Sequence, residues 1–85
     1  MYCWDEAKND SNIDKHGIGF AAAALLFEGP VTDVEDTRFP YGETRLNAYG
    51  TIDGRLFVCC YAPRHGWKHI ISFRKANARE VKRYG

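Results

Sequence analysis

The stretch RLFVCCYA, residues 55–62, limits most strongly what this 85-residue chain can fold into. A short continuous apolar run of this kind, bounded by turn signals, predicts a buried central β-strand. Asp53-Gly54 precedes it and Arg64-His65-Gly66 follows it. The alternating segments TRLNAY (44–49) and WKHIISF (67–73) flank those turns. We therefore predict a three-stranded antiparallel meander.

Alternation in the last strand predicts that its two faces carry different side chains. One face would hold Trp67, His69, Ile71 and Phe73, and the other Lys68, Ile70 and Ser72. Ile70 and Phe73 are then expected on opposite faces of the sheet.

Two helices are predicted ahead of the meander. MYCW, residues 1–4, is typical of a short first strand. Asp5 is a favourable N-cap and Gly17 a favourable C-cap for the helix between them. Alanine and leucine favour a second helix from Gly19 to Glu28, which Gly29-Pro30 would end.

The remaining segments complete the predicted fold. Residues 31–43 contain acids, Pro40 and Gly42, which indicates irregular chain around one short edge strand. Asn77 and Glu80 have capping-box spacing and predict a short helix over residues 78–84. The result is an α+β fold in one domain, residues 1–85. An N-terminal strand and two helices pack on an antiparallel sheet, and a short basic helix ends the chain.

Charge is divided unevenly along the chain. Residues 1–63 carry five Lys and Arg against ten Asp and Glu, whereas residues 64–85 carry seven Lys and Arg against Glu80 alone. A basic end on an acidic body suggests an anionic partner, with nucleic acid the first candidate. A solvated cationic helix would give the same pattern.

Metal and cofactor sites are not indicated. His65 and His69 lie across a turn and a strand, and Cys59 and Cys60 point to opposite faces of a strand. The sequence GIGF is not a nucleotide-binding loop. We therefore expect no metal and no cofactor.

Cysteine usage and apolar run length predict the compartment. Three cysteines without framework spacing are typical of a reducing environment. The N-terminus lacks the pattern of a signal peptide, and FAAAALLF is only eight residues long. We expect a cytoplasmic protein without a membrane partner.

Cations and aromatic residues form the candidate site. Arginine grips phosphate through a planar fork of donors, and aromatic rings stack on bases. Cations can also stabilise RNA cleavage without metal, while histidine, tyrosine or carboxylate transfers protons. The residues are Arg45, Arg64, His65, Arg74, Lys75, Arg79 and Tyr84.

Simpler structural roles are open for several polar residues. Tyr84 could pack the last helix onto the sheet, and Glu43 and Arg45 could form a surface ion pair. Lys8 could be an ordinary surface lysine, and His16 suits the C-terminal end of a helix.

Two motifs stand out near the ends of the chain: WDxxKxxxNxxKHG spans residues 4–17, and IISxRKAxxxExxxY spans residues 70–84. These motifs resemble those of the BrnT family. Phe20, Ala23, Phe27 and Glu43-Thr44-Arg45 lie between them in matching order. The chain departs from the family pattern at Phe73, where alanine is usual, and at Gly19, where serine or threonine is common.

The resemblance implies a toxin of a bacterial type II toxin–antitoxin system with a RelE-like ribonuclease fold. Such a toxin cleaves RNA and blocks translation without metal or cofactor. A BrnA-type antitoxin neutralises it, in a complex expected to be a heterotetramer. That complex represses its own operon through operator DNA bound by the antitoxin.

The resemblance also ranks the candidate residues. Arg74 and Lys75 match the family's Arg-Lys pair, Tyr84 matches its terminal tyrosine, and Arg64 is a further cation, so these four are assigned to catalysis. Glu43, Arg45, His65 and Arg79 are assigned to RNA binding. Two other hypotheses remain: a catalytically weak antitoxin-binding protein, and an RNA- or DNA-binding module unrelated to toxins.

Overall fold

A computed structural model describes residues 1–85 and confirms the α+β class. Its elements are β1 (Tyr2–Trp4), α1 (Glu6–His16), α2 (Ala23–Glu28), β2 (Thr32–Glu35), β3 (Leu46–Ile52), β4 (Arg55–Arg64), β5 (Trp67–Lys75) and α3 (Ala78–Tyr84). No helix has both the length and the apolar character needed to cross a membrane.

The five strands form one sheet in the order β1-β5-β4-β3-β2. Strands β2 to β5 are antiparallel neighbours, as predicted for the meander. The prediction of an antiparallel sheet did not include its parallel edge, where β1 lies beside β5 and pairs Tyr2 with Lys68. The sheet is therefore mixed, and a parallel partner of only three residues covers part of the β5 edge.

The predicted alternation of β5 is wrong, because a β-bulge interrupts it. Cys60 pairs with Ser72 while Tyr61 pairs with Ile70, so Ile71 has no partner in β4. A bulge shifts the face on which later residues lie. Ile70 and Phe73 consequently join the same core cluster, and neither is exposed.

The helix ends predicted from local sequence signals differ only slightly from those in the structure. The Asp5 side chain accepts hydrogen bonds from the backbone N–H of Ala7 and Lys8, and Gly17 ends α1 with a φ of 71°. The second helix opens as a 3₁₀ turn over Phe20–Ala22 rather than as α-helix from Gly19. The Phe20 N–H donates to the Asn9 side chain at 2.8 Å, which fixes that turn against α1.

The core lies between the helices and one face of the sheet. The buried side chains of Phe20, Ala23 and Leu26 pack on Phe57 and Phe73 from the strands. Gly50 in β3 permits this approach, since a Cβ there would lie 2.8 Å from Leu26 Cδ1. Apolar burial of this kind is the main stabilising term of a small domain.

A single polar side chain joins α1 to the sheet. The Asn12 amide nitrogen donates to the Phe73 carbonyl at 2.7 Å and to the Ile18 carbonyl at 2.8 Å. The Phe73 N–H donates back to Asn12 Oδ1 at 3.1 Å. Because β1 pairs β5 only as far as Ile70, Asn12 takes the place of a neighbouring strand at Phe73.

Replacing Asn12 by alanine should destabilise the fold by about 2–4 kcal/mol, since it leaves buried backbone groups without partners. Urea unfolding of the wild type and the variant measures this. Asp10→Ala is the matched control, because Asp10 is an exposed residue of the same helix. An equal shift in the urea midpoint for both variants would show that the hydrogen bonds of Asn12 to the sheet do not stabilise the fold.

Candidate functional site

The face of the sheet opposite α1 and α2 carries a groove of about 690 Å³. Helix α3 forms one wall, and the loop after β2 forms another. Five arginines line the groove together with three carboxylates. Its floor consists of Asn47, Tyr49, Val58, Cys60, Ile71 and Ser72.

Helix α3 is held in place by a carboxylate and a stacked ring. The Glu80 N–H donates to the Asn77 side chain and the Asn77 N–H donates to Glu80, both at 2.9 Å, which completes the predicted capping box. Tyr84 stacks on Tyr49 with ring centroids 4.0 Å apart. Tyr84 therefore has a packing role and also lines the groove.

Arg74 is fixed by the same carboxylate. Its two terminal nitrogens donate to the Glu80 oxygens at 2.7 and 2.9 Å. This pair raises the pKa of Arg74 and lowers the pKa of Glu80. A bidentate pair gives the guanidinium a defined orientation. Arg74 thus enters the groove in a preset position, with 36% of its side chain exposed.

The other wall depends on Asp36, whose side chain is buried. Its carboxylate accepts two side-chain hydrogen bonds from Arg38, both at 2.9 Å, and a backbone one at 3.2 Å. The Tyr41 hydroxyl donates to it at 3.0 Å. The hydrogen bonds from Arg38 hold the pKa of Asp36 at about 2, against the opposing effect of burial. Asp36 therefore orders the loop of residues 36–41.

Arg45 lies between this loop and the floor. Its guanidinium carbon is 4.0 Å from the centre of the Tyr41 ring, a cation–π contact. The buried Arg45 Nε has no hydrogen-bond partner, and the Glu43 carboxylate is 3.5 Å away. A buried donor without a hydrogen bond is costly in a folded protein, and such donors are a reason to look for a functional role.

Half of the sequence-predicted residues lie together. Arg45, Arg74, Arg79 and Tyr84 line the groove. Glu43, Arg64, His65 and Lys75 do not line it. The positions of these four residues are set by the strands and turns in which they lie.

Arg64 and Glu43 pair with each other outside the groove. Arg64 ends β4, and its Nη2 lies 2.8 Å from a Glu43 oxygen. This contact lowers the pKa of Glu43. His65 occupies the next turn with a φ of 52° and is exposed. Lys75 follows Arg74 in β5, and consecutive strand residues point to opposite faces.

Three residues of the groove were missed as site candidates: Arg38, Tyr41 and Arg83. Arg38 and Tyr41 come from the acidic part of the chain, residues 1–63, whose net negative charge did not indicate an anion-binding site. The interleaved cation and aromatics of RFPY, residues 38–41, were the available signal. No three His, Cys, Asp or Glu side chains of the protein form a group that could hold a metal ion.

A protein-family model matches most of the chain. The family model described as the ribonuclease toxin BrnT of type II toxin–antitoxin systems matches residues 4–80. That range includes every residue lining the groove except Arg83 and Tyr84. No curated protein matches the chain.

The carboxylate of Asp36 should make the free energy of unfolding depend on pH in the acid range. The folded pKa of about 2 lies below the ordinary value near 4, so the stabilisation is complete above about pH 4 and is lost as pH falls toward 2. The difference in unfolding free energy between wild type and Asp36→Asn should therefore narrow over that window.

Urea unfolding at stepped pH measures this difference. Asp14→Asn controls for loss of one charge, because Asp14 is exposed and has no ion-pair partner. A gap between wild type and Asp36→Asn that stays constant down to about pH 2 contradicts the assignment.

Proposed function

The chain belongs to the BrnT family of ribonuclease toxins of type II toxin–antitoxin systems, and we propose that the groove is where it binds and cleaves RNA. Membership implies an RNA substrate and an antitoxin partner. It does not place the site, which we infer from the chemistry of the groove.

The observation that carries the proposal is the clustering of five arginines in one groove of a chain whose formal net charge is only +1. Arginine is the side chain best suited to planar, bidentate recognition of phosphate. Two of the five, Arg38 and Arg74, each donate two side-chain hydrogen bonds to a carboxylate, so their donors are oriented before RNA arrives. Preset donors stabilise developing charge without a cost of reorganisation during the reaction.

The proposed reaction needs no metal. The RNA 2′-hydroxyl loses its proton, and the 2′-oxygen attacks the adjacent phosphorus. The bond from phosphorus to the 5′-oxygen breaks as that oxygen takes up a proton. A 2′,3′-cyclic phosphate and a 5′-hydroxyl end result. Arg74 and Arg79 stabilise the negative charge on the phosphorane, and Tyr84 is the group in the groove that we assign to proton transfer.

The residues outside the groove have a proposed role beyond the scissile phosphate. Arg64, with Glu43 and His65, would contact RNA that leaves the groove. A catalytic role for Lys75 would require RNA to reach the end of β5, where Lys75 is exposed. Variants of Lys75 and Arg64 belong in the same assay as those of Arg74.

The finer biology follows from the family resemblance. We propose that RNA cleavage inhibits translation in the cytoplasm. A BrnA-type antitoxin would cover the groove with acidic and apolar residues, complementary to the arginines and to Phe39, which is 62% exposed beside Tyr41. The heterotetramer of both proteins would then bind operator DNA through the antitoxin.

Arg74→Ala should lower the RNA cleavage rate by about 10²–10³-fold and abolish growth arrest, as removal of a key charge-stabilising donor does. Inducible expression in bacteria with primer-extension mapping of RNA ends measures both effects. Arg55→Ala is the matched control, because Arg55 is exposed at the first hairpin and does not line the groove. Arg74→Lys tests whether charge alone suffices, and urea unfolding checks each variant for folding.

Two results would contradict this prediction differently. Unchanged RNA ends and growth arrest with Arg74→Ala would place the active site elsewhere. A well-folded wild type that produces neither new ends nor arrest would leave the antitoxin-binding hypothesis in place of the enzyme.

Cleavage by the purified protein should persist in excess EDTA, because arginines supply the charge stabilisation. It should stop when the nucleotide before the cleaved bond carries a 2′-deoxyribose, which removes the nucleophile. Gel analysis of a labelled oligonucleotide measures both. Loss of cleavage in EDTA with recovery in Mg²⁺ would show that a metal takes part.

A further inference from the structure

We propose that a second cavity, beside α1, binds RNA backbone phosphates, so that the RNA crosses strand β5 at Ser72. This proposal rests on the RNA-binding groove proposed above and extends it. The cavity, here named the α1 pocket, has a volume of about 180 Å³. Its lining includes Lys8, Ser11, Lys15 and His16 from the helix and Ile71 and Ser72 from β5.

The α1 pocket exists because of the way α1 meets the sheet. Beyond Ile70, β5 has no strand at its outer edge, and Asn12 binds the backbone of Phe73 there. Residues three or four apart on a helix share a face. Lys8 and Lys15 lie four residues before and three after Asn12, so the contact that docks the helix also brings both lysines to the edge of β5.

The α1 pocket and the groove meet at β5. Ile71 and Ser72 line both cavities. Ile71 is the residue that the β-bulge leaves unpaired, and bulges are frequent next to active sites. A chain of phosphates lying in the groove therefore has a continuation with cationic side chains on the other side of Ser72.

The cations of the α1 pocket are not neutralised within the protein. None of the four ion pairs of the structure includes Lys8, Lys15 or His16. Lys15 and His16 lie in the last turn of α1, where cations suit the helix dipole. Lys8 lies in the first turn, where the same dipole opposes a cation. Helix electrostatics therefore leaves Lys8 unexplained, whereas a bound anion accounts for both lysines.

RNA is the occupant that the surroundings favour. Its phosphates repeat along one strand, which suits two cationic cavities joined by a shared wall. Hydroxyl and imidazole groups of Ser11, Ser72 and His16 add hydrogen-bond donors of the kind that contact phosphate and sugar. The α1 pocket has no carboxylate among its lining residues, so nothing in it repels a phosphate.

The test uses a fluorescein-labelled RNA that is 2′-O-methylated throughout, so that it binds but is not cleaved. Fluorescence anisotropy at several salt concentrations gives the affinity of the full chain. Lys8→Ala/Lys15→Ala is compared with Arg55→Ala/Lys82→Ala, which removes two exposed cations that line neither cavity. Circular dichroism and urea unfolding check that both variants fold.

The Lys8→Ala/Lys15→Ala variant should bind the RNA about fivefold to twentyfold more weakly than wild type, as expected for two exposed charge contacts. The slope of log affinity against log salt concentration should be smaller in magnitude by about 1.4, because the variant makes two fewer phosphate contacts that release counterions from single-stranded RNA. The Arg55→Ala/Lys82→Ala variant should change neither quantity beyond the small effect of net charge.

Three results would overturn the proposal. Equal affinity and equal salt slope in both double variants, with wild type binding RNA, would reject the α1 pocket and leave the groove. Loss of antitoxin binding without loss of RNA binding in Lys8→Ala/Lys15→Ala would assign the α1 pocket to the antitoxin. Failure of the folded wild type to bind or cleave any RNA would reject the proposed function itself.

Discussion

The hydrogen bonds between Asn12 and Phe73 are the constraint on which the arrangement of this protein depends. β1 is too short to cover the edge of β5, and the exposed backbone beyond Ile70 needs partners. The Asn12 amide supplies both a donor and an acceptor in the geometry of a missing strand. It thereby sets the position of α1, the burial of Phe20 and Phe73 beneath the helices, and the proximity of α1 to the bulge in β5.

The acidic half of the chain contributes to an arginine-lined groove instead of opposing it. Asp36 holds Arg38 and Tyr41, and Glu80 holds Arg74 while closing the cap of α3. Each carboxylate neutralises part of the positive charge of the groove, but it also fixes the direction of a guanidinium. For a site that recognises phosphate, oriented donors matter as much as net charge. The small net charge of the chain therefore underestimates how well this groove can bind an anion.

Local rules predicted much of the fold, and half of the predicted site residues line the groove. The caps at Asp5, Gly17 and Asn77 formed as predicted, because capping depends on neighbours in sequence. The alternation of β5 failed at Ile71, because a bulge arises from pairing with β4 and leaves no clear mark in the strand itself. Among the predicted site residues, Arg74, Arg79 and Tyr84 lie close in sequence and line the same groove. Arg38 was missed because it reaches the groove only through the pairing of β2 with β3.

The sequence by itself determined the family, the α+β class, the helix caps and the hairpins, since each depends on residue identity or on contacts a few positions apart. Tertiary structure alone decided that Asn12 replaces a strand, that the arginines at 38, 45 and 74 share one groove, and that Arg64 pairs with Glu43 outside it. Those outcomes require strand order and register, which bring together residues far apart in the chain. A side chain's neighbours across a sheet are fixed by hydrogen-bonded pairing, and no local pattern specifies that pairing.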